Sequence, residues 1–127
     1  MQKIKVMLAD DHPVARAGIR KFLNKATDIE IVAETDNGTE ALELAKRIVP
    51  DVLLLDIELP GLKGLEIARE LQLMHSPVKI LVLSTYDDKQ FIFGLLGNGA
   101  AGYLTKEEVP ETIVEAVRGV SRGEKAG

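Results

Sequence analysis

The chain has 127 residues, a formal net charge of −4 and no cysteine. This length suits one domain with a substantial core, and the absence of cysteine excludes disulfides and thiolate chemistry. The acidic balance argues against direct nucleic-acid binding, which normally leaves a basic footprint. No apolar stretch reaches the length of a membrane span, and the N-terminus lacks a signal-peptide pattern, so we expect a cytoplasmic protein without membrane contact.

Strand-like and helix-like segments alternate along the chain. Short apolar or alternating runs predict strands, whereas apolar residues spaced by three or four predict helices. In chain order, the predicted elements are strand Ile4–Ala9, helix His12–Lys25, strand Ile29–Thr35, helix Thr39–Ile48, strand Val52–Leu55, helix Gly64–Met74, strand Val78–Leu83, a helix from Asp87 or Asp88 to about Leu96, strand Ala101–Leu104 and helix Glu108–Ser121. The alternation predicts an α/β fold with a parallel sheet and helices on both faces.

Acidic residues follow the first and third predicted strands. Asp10 and Asp11 close the first strand, and Asp56 closes the third. Ligands of open parallel sheets bind beyond the carboxyl ends of the strands, so the three carboxylates should meet at one edge. Clustered carboxylates repel one another unless a cation holds them, and a set of oxygen ligands suits Mg²⁺.

Ser84 and Lys106 follow the fourth and fifth predicted strands and complete this candidate site. An ionised Asp56 can attack phosphorus, while Lys106 and the Ser84 hydroxyl can stabilise phosphoryl oxygens. Taken singly, each residue has an ordinary interpretation: Asp11 as the N-cap of the first helix, Ser84 as a turn residue and Lys106 as a solvated lysine. Their joint placement on successive strand ends favours a phosphoryl-transfer site.

With these residues in place, the chain resembles a response-regulator receiver domain of two-component signalling from end to end. The resemblance is carried by the strand-end residues and by three segments: Asp10–Arg20 (DDHPVARAGIR), Leu53–Gly64 (LLLDIELPGLKG) and Gly99–Lys106 (GAAGYLTK). The first and last segments resemble the NarL/FixJ (LuxR-type) subfamily. The resemblance implies a flavodoxin-like (βα)5 doubly wound sheet with strand order 2-1-3-4-5.

The resemblance also implies roles for the residues of the site. Asp56 would accept a phosphoryl group from the phosphohistidine of a histidine kinase, with Lys106 assisting. The implied ligands of Mg²⁺ (or Mn²⁺) are Asp11, Asp56 and the backbone carbonyl of Glu58, with Asp10 close by. Ser84 and Tyr103 would form the switch. The protein would then be a stoichiometric phosphoacceptor that assists its own phosphorylation and dephosphorylation, and not an enzyme.

The same resemblance suggests how the domain connects to an output. Residues 1–121 would form the receiver, and residues 122–127 would begin an interdomain linker or form a frayed tail. The subfamily usually continues into a helix-turn-helix DNA-binding domain, which this sequence lacks, so any DNA binding would belong to that domain. The signal would leave through the predicted fourth helix, the fifth strand and the last helix. A homodimer formed on phosphorylation is a further candidate partner.

Two positions depart from the pattern of the family, Glu107 and Thr85, and two others, Glu58 and Tyr86, lie near the expected phosphate. Many receivers have Lys-Pro with a cis bond where this chain has Lys106-Glu107. A cis non-prolyl bond costs about 2.5–4 kcal/mol, so we expect a trans bond here. Thr85 would narrow access to the phosphate, and Glu58 and Tyr86 would flank the path of a hydrolytic water.

The helices and histidines carry weaker signals. The predicted fourth helix contains Gly94 and Gly97, each costing about 1 kcal/mol relative to alanine, so we expect a marginal helix with an exposed apolar patch. The basic residues of the first helix predict a solvated face that could contribute to kinase docking; they are Arg16, Arg20, Lys21 and Lys25. His12 and His75 are more typical of structural or solvent-facing residues than of metal ligands, because no second His or Cys stands at metal-site spacing.

Three alternatives remain open at this stage. A degenerate receiver could act as an interaction module that needs no phosphorylation. A phosphatase of the haloacid-dehalogenase type also uses Asp and Mg²⁺, but places its nucleophile after the first strand as Asp-x-Asp, where this chain has Asp10-Asp11-His12. A flavodoxin-like nucleotide binder would need a loop rich in Ser, Thr and Gly where this chain offers carboxylates.

Overall fold

The computed structural model describes residues 2–84, 93–94, 96–106, 108 and 110–124. None of the helices it describes is long and apolar enough to cross a membrane. The predictions for Thr85, Tyr86 and the Lys106–Glu107 peptide bond lie outside the described residues. The same holds for most of the predicted fourth helix, of which Phe93, Gly94 and Leu96 are described as helical.

Five strands form one parallel sheet in the order β2-β1-β3-β4-β5. The strands are β1 (Ile4–Ala9), β2 (Ile29–Thr35), β3 (Val52–Asp56), β4 (Lys79–Ser84) and β5 (Gly102–Thr105). The predicted α/β fold and the strand order implied by the resemblance are both confirmed. Each predicted strand is present, with ends that differ from the prediction by at most one residue.

Helices cover both faces of the sheet. The helices that the structure describes in full are α1 (Pro13–Lys25), α2 (Gly38–Ile48), α3 (Gly64–Leu73) and the C-terminal helix, labelled α4 here (Pro110–Ser121). One apolar core lies between the sheet and α2 and α3, and a second lies between the sheet and α1 and α4. This two-sided cover explains why β1, β3 and β4 read as almost continuous apolar runs.

The start of α1 differs from the prediction. His12, not Asp11, is the N-cap residue, and its side chain makes no capping hydrogen bond. The prediction that Asp11 caps the helix is therefore wrong, whereas Pro13 does lie in the first turn. The His12 amide is taken by Asp10, whose Oδ1 accepts it at 2.8 Å, and Pro13 has no N–H to be capped.

A close contact holds the loop that follows Asp56. The Gly38 amide donates to the Pro60 carbonyl at 2.9 Å, and Asn37 caps α2 through its side chain. A Cβ at Gly38 would lie 1.9 Å from the Leu62 carbonyl oxygen, so only glycine permits this approach. The start of α2 therefore fixes the path of the chain just beyond the third strand.

Candidate functional site

The polar residues at the carboxyl edge of the sheet come from four strand ends. Asp10 follows β1, Asp56 ends β3, Ser84 ends β4 and Lys106 follows β5. The first three are fully or almost fully buried, with 0%, 1% and 0% of their surface exposed. Charged residues are almost never this buried unless they are paired. Parallel strands bring their carboxyl ends together, so residues that are distant in the sequence meet here.

Lys106 is the cation of this site. Its Nζ donates to Asp56 Oδ2 at 2.8 Å and to Asp10 Oδ1 at 3.0 Å. Burial by itself lowers the Lys106 pKa, but the hydrogen bonds to Asp56 and Asp10 outweigh it and hold the pKa above its ordinary value. The Lys106 amide also donates to the Ser84 carbonyl at 2.8 Å, which ties β5 to β4 beside the site. Lys106 is therefore a charged, ordered partner of two buried carboxylates.

Asp56 is held from the backbone side as well. The Glu58 amide donates to Asp56 Oδ1 at 3.0 Å, and the Ile57 amide donates to the Leu83 carbonyl at 3.1 Å. These bonds fix the first residues of the loop and leave the Asp56 carboxylate facing the site. The carboxylate therefore has an amide donor on one oxygen and the Lys106 ammonium on the other.

Two carboxylate oxygens in the site have no donor. Asp10 Oδ2 and Asp11 Oδ1 are buried and make no hydrogen bond with any residue that the structure describes. An unmatched buried acceptor is costly, and a divalent cation would satisfy both atoms. Ligand atoms of Asp10, Asp11, His12 and Asp56 all lie within 4.8 Å of one another, and we call these four residues the acidic cluster. Among the described residues, these three carboxylates lie beside one ammonium, which leaves an excess of negative charge, so the acidic cluster could bind a divalent metal.

The sequence analysis did not foresee His12 as a member of the site. Its Nδ1 lies 3.2 Å from Asp10 Oδ1, 3.2 Å from Asp11 Oδ1 and 3.3 Å from Asp56 Oδ2. The side chain is half exposed, so solvent still reaches it. The prediction for His12 considered only a second His or Cys as a neighbouring ligand and did not consider carboxylates. The position of His12 directly after the Asp10-Asp11 pair was the signal in the sequence that could have placed it in the site.

The basic face of α1 is only partly solvated. Arg20 Nε and Nη2 donate to the two Glu34 carboxylate oxygens at 2.7 and 2.8 Å, and these hydrogen bonds raise the Arg20 pKa. Arg16 Nη1 donates to the Asp10 carbonyl at 3.0 Å. The predicted solvated face is thus corrected to Lys21 and Lys25, which are exposed. Arginine forks favour the planar Glu34 carboxylate on the adjacent strand, whereas the flexible lysines remain in water.

The two predicted switch residues lie on neighbouring strands. Ser84 is buried at the end of β4, and Tyr103 on β5 is partly buried against the core on the α2 and α3 side. The register places Tyr103 opposite Val82 and Thr105 opposite Ser84. Tyr103 is therefore two residues further from the carboxyl edge than Ser84.

Comparison with known proteins agrees with this architecture. Residues 6–118 match the family described as response regulator receiver domain. The transcriptional regulatory protein DegU of Brevibacillus brevis is 39% identical over 121 residues, which is 95% of this chain and 51% of DegU. The uncharacterized transcriptional regulatory protein YxjL of Bacillus subtilis is 38% identical over 122 residues, which is 96% of this chain and 56% of YxjL. The chain thus spans about half the length of these curated relatives.

Solved structures give the same result. The signal receiver domain of NarL from Mycobacterium tuberculosis superposes with a TM-score of 0.95 at 35% identity, covering 98% of this chain and all of that one. A LuxR-family two-component response regulator from Aurantimonas sp. SI85-9A1 superposes with a TM-score of 0.91 at 30% identity, covering 99% of this chain and 90% of that one. The chain therefore belongs to the response-regulator receiver-domain family, and its relatives are response regulators of the NarL and LuxR type.

Proposed function

We propose that this domain is a phosphorylation-activated switch in which Asp56 is the phosphoacceptor. The observation that carries the proposal is the pairing of the buried Asp56 carboxylate with Lys106 Nζ at 2.8 Å, in a cluster that still contains two unmatched carboxylate oxygens. A site whose only purpose was stability would match every buried acceptor. A site that binds a cation before it receives a phosphoryl group needs unmatched carboxylate oxygens as ligands.

The donor would be the phosphohistidine of a histidine kinase. An Asp56 oxygen forms a bond to phosphorus, the phosphorus–nitrogen bond of the donor breaks, and the departing imidazole nitrogen keeps the electron pair. Lys106 already holds a positive charge beside the acceptor oxygen, where it can offset charge on the incoming phosphoryl group. The Ser84 hydroxyl would donate to a further phosphoryl oxygen.

The carboxylates of the acidic cluster fit Mg²⁺ or Mn²⁺. Asp11 and Asp56 would be direct ligands together with the Glu58 carbonyl, and Asp10 would support them. Such a metal supplies positive charge that offsets charge on the phosphoryl oxygens. Asp10 Oδ2 and Asp11 Oδ1 support this assignment, because both are buried acceptors without a donor among the described residues, and a cation would satisfy them. Arg16 positions the cluster through its hydrogen bond to the Asp10 carbonyl.

The output would lie in a part of the regulator outside this chain. Relatives that are transcriptional regulatory proteins are about twice as long as the matched region, which supports a receiver at residues 1–121 followed by a linker and a helix-turn-helix DNA-binding domain. Ser84 and Tyr103 would transmit the effect of phosphorylation to a surface made of β5, the C-terminal helix α4 and the helix predicted to end at about Leu96. A homodimer of phosphorylated chains is a further partner within this proposal. The family match gives no support to the phosphatase or the flavodoxin-like nucleotide binder.

Intact mass measured after incubation with phosphoramidate and Mg²⁺ tests the acceptor assignment. The wild-type chain should gain the mass of one phosphoryl group, and Asp56→Asn should gain none. Asp51→Asn is the matched control, because Asp51 lies just before β3, at the opposite end of the strand from Asp56, where it accepts a hydrogen bond from the Lys5 amide. This control should be phosphorylated like the wild type.

Two outcomes would contradict the proposal. Phosphorylation of Asp56→Asn at the wild-type extent would assign the acceptor to another residue. A wild-type chain that gains no phosphoryl group from phosphoramidate or from a phosphorylated kinase, with Mg²⁺ or Mn²⁺, would favour the degenerate receiver, which works as an interaction module without phosphorylation.

A further inference from the structure

His12 is the one member of the acidic cluster that offers nitrogen. It is placed from two sides: its amide donates to Asp10 Oδ1 at 2.8 Å, and Pro13 begins α1 directly after it. Its Nδ1 lies 3.2–3.3 Å from one oxygen each of Asp10, Asp11 and Asp56. The ring therefore faces the carboxylates even though half of it is exposed to solvent.

The contact with Lys106 identifies which form of the ring faces the cluster. Lys106 Nζ lies 2.8 Å from His12 Nδ1. An ammonium group donates hydrogen bonds and cannot accept them, so beside a charged Lys106 the tautomer that fits this contact has a lone pair on Nδ1, which accepts from Nζ. A neutral imidazole nitrogen that carries a lone pair is the form that binds metals.

The Lys106 ammonium cannot donate a hydrogen bond to every carboxylate oxygen of the acidic cluster. Its three protons are taken by Asp10 Oδ1, Asp56 Oδ2 and His12 Nδ1. Asp10 Oδ2 is therefore without a donor in the part of the chain that the structure describes, although its residue is completely inaccessible to solvent. This unmatched oxygen is an observation separate from the clustering, and it points to a second cation.

The distances from His12 Nδ1 to the three carboxylate oxygens would allow all four residues to contact one ion. Neighbouring ligands of an octahedral ion with bonds of about 2.1 Å lie about 3.0 Å apart. The distances from Nδ1 to the three carboxylate oxygens exceed that spacing by only a few tenths of an ångström. Binding of a metal to Nδ1 would break the hydrogen bond between Lys106 Nζ and Nδ1. Lys106 would keep its hydrogen bond to Asp56.

We infer that His12 Nδ1 is a direct ligand at this site and that it makes the receiver prefer a divalent transition metal over Mg²⁺. This inference rests on the proposed function, because it concerns the metal site of the phosphoacceptor. Mg²⁺ selects oxygen ligands, whereas imidazole nitrogen favours Co²⁺, Ni²⁺ and Zn²⁺, and oxygen-rich sites also admit Mn²⁺. His12 would thus add a ligand that Mg²⁺ does not exploit.

Titration with Co²⁺ and with Mg²⁺ tests this preference. His12→Phe keeps a ring of similar volume but removes the nitrogen, and it should weaken Co²⁺ binding about tenfold or more while changing Mg²⁺ binding less than about twofold. His75→Asn is the matched control. His75 is the second of two histidines in the chain, it lies between α3 and β4 at the opposite edge of the sheet, and asparagine tolerates its positive φ of 53°. This control should bind both ions like the wild type.

Pulsed electron paramagnetic resonance of the Mn²⁺-bound protein gives a second readout that needs no variant to fold. Coupling of Mn²⁺ to an imidazole nitrogen should be present in the wild type and in His75→Asn, and absent in His12→Phe. Absence of this coupling from the wild type would overturn the inference. Equal weakening of Co²⁺ and Mg²⁺ binding by His12→Phe, unchanged Co²⁺ binding, or equal weakening of Co²⁺ binding by His75→Asn would also overturn it.

These results are separable from the test of Asp56. Nitrogen coupling in a chain that takes up no phosphoryl group would refute the proposed function and support the His12 ligand. Phosphorylation of Asp56 without nitrogen coupling would leave the proposed function standing and reject His12 as a ligand.

Discussion

Two charged clusters join distant parts of this domain, and they differ in how completely their charges are matched. In the first, Lys106 donates to Asp56 and Asp10 across separations of 50 and 96 residues. In the second, which we call the Arg118 cluster, Arg118 on α4 donates to both oxygens of Asp28 at 2.9 Å, across 90 residues. Arg118 also pairs with Glu115 one turn earlier on the same helix.

The Arg118 cluster stabilises the fold, whereas the site at the carboxyl edge of the sheet keeps unmatched oxygens that can bind a ligand. The guanidinium group of Arg118 donates one hydrogen bond to each oxygen of the Asp28 carboxylate. This side-chain hydrogen bonding is the main reason why the Asp28 pKa lies below its ordinary value. A lysine ammonium lacks this paired geometry. Beside the acidic cluster, the Lys106 ammonium bonds one oxygen each of Asp10 and Asp56 but none of Asp11, so among the described residues buried carboxylate oxygens remain available for a metal.

Removal of Lys106 should give the largest change in stability. Lys106→Met leaves two buried carboxylates without their cation, and removing one partner of a buried pair is strongly destabilising. We expect the free energy of unfolding at pH 7 without metal to fall by about 3 kcal/mol and to recover in part with Mg²⁺. Urea unfolding with and without chelator measures this. Lys21→Met, at an exposed position on α1, should change the midpoint little, and an equal effect of both variants would refute the explanation.

Alkaline pH should reverse part of the same stabilisation. The folded-state pKa of Lys106 is raised, so its contribution is fully present below the ordinary lysine pKa of about 10.5. That contribution is lost as the pH rises through the higher folded-state value. The stability difference between wild type and Lys106→Met should therefore shrink above pH 10.5, as urea unfolding at pH 8–11.5 can measure. A difference that grows with pH would contradict the assignment.

The unmatched oxygen of Asp11 should make its replacement stabilising in the absence of metal. Asp11→Asn removes a negative charge that Lys106 does not neutralise, and its amide can donate to a neighbouring carboxylate. We expect a gain of about 1 kcal/mol in chelator and loss of the stabilisation by Mg²⁺. Thermal unfolding with and without Mg²⁺ checks both effects. Asp36→Asn, just after β2 and exposed, is the control that should retain the Mg²⁺ effect.

The Arg118 cluster should give the smallest change. Asp28→Asn breaks a matched but partly exposed pair, and such pairs contribute little because water and salt screen them. We expect a shift in the urea midpoint less than half that of Lys106→Met, and still smaller at high salt. Because the Asp28 pKa is lowered, its contribution is present above about pH 3.8 and lost on acidification. A salt-independent effect as large as that of Lys106→Met would remove the distinction between the clusters.

Hydrophobic patterning predicted most of the fold because each pattern had one structural solution. The continuous apolar run at Val52–Leu55 required cover on both faces and is completely buried. The alternating run at Ile29–Thr35 required an edge position, and β2 lies at the edge of the sheet. Helix ends were less predictable: α1 begins at Pro13, with His12 and not Asp11 as its N-cap residue.

Strand-end placement predicted the meeting of the carboxylates but not how they are matched. Parallel strands bring Asp10 and Asp56 to one edge whatever their side chains do. Which oxygens Lys106 selects, and which oxygens remain unmatched, depends on side-chain packing that no sequence pattern encodes. His12 and Arg16 were assigned to other environments for the same reason, since their partners come from folded neighbours and not from sequence spacing.

The sequence by itself determined the alternation of strands and helices, the residues that close each strand and the resemblance to receiver domains. It did so because burial on one or two faces of a sheet requires a regular spacing of apolar residues, which is visible in the sequence. Only the packed structure shows that one ammonium bonds both Asp10 and Asp56 and that the His12 ring turns toward the carboxylates. It also shows that buried Asp10 Oδ2 has no donor among the described residues. These features depend on distances of about 3 Å between residues up to 96 positions apart, and only the packed sheet sets those distances.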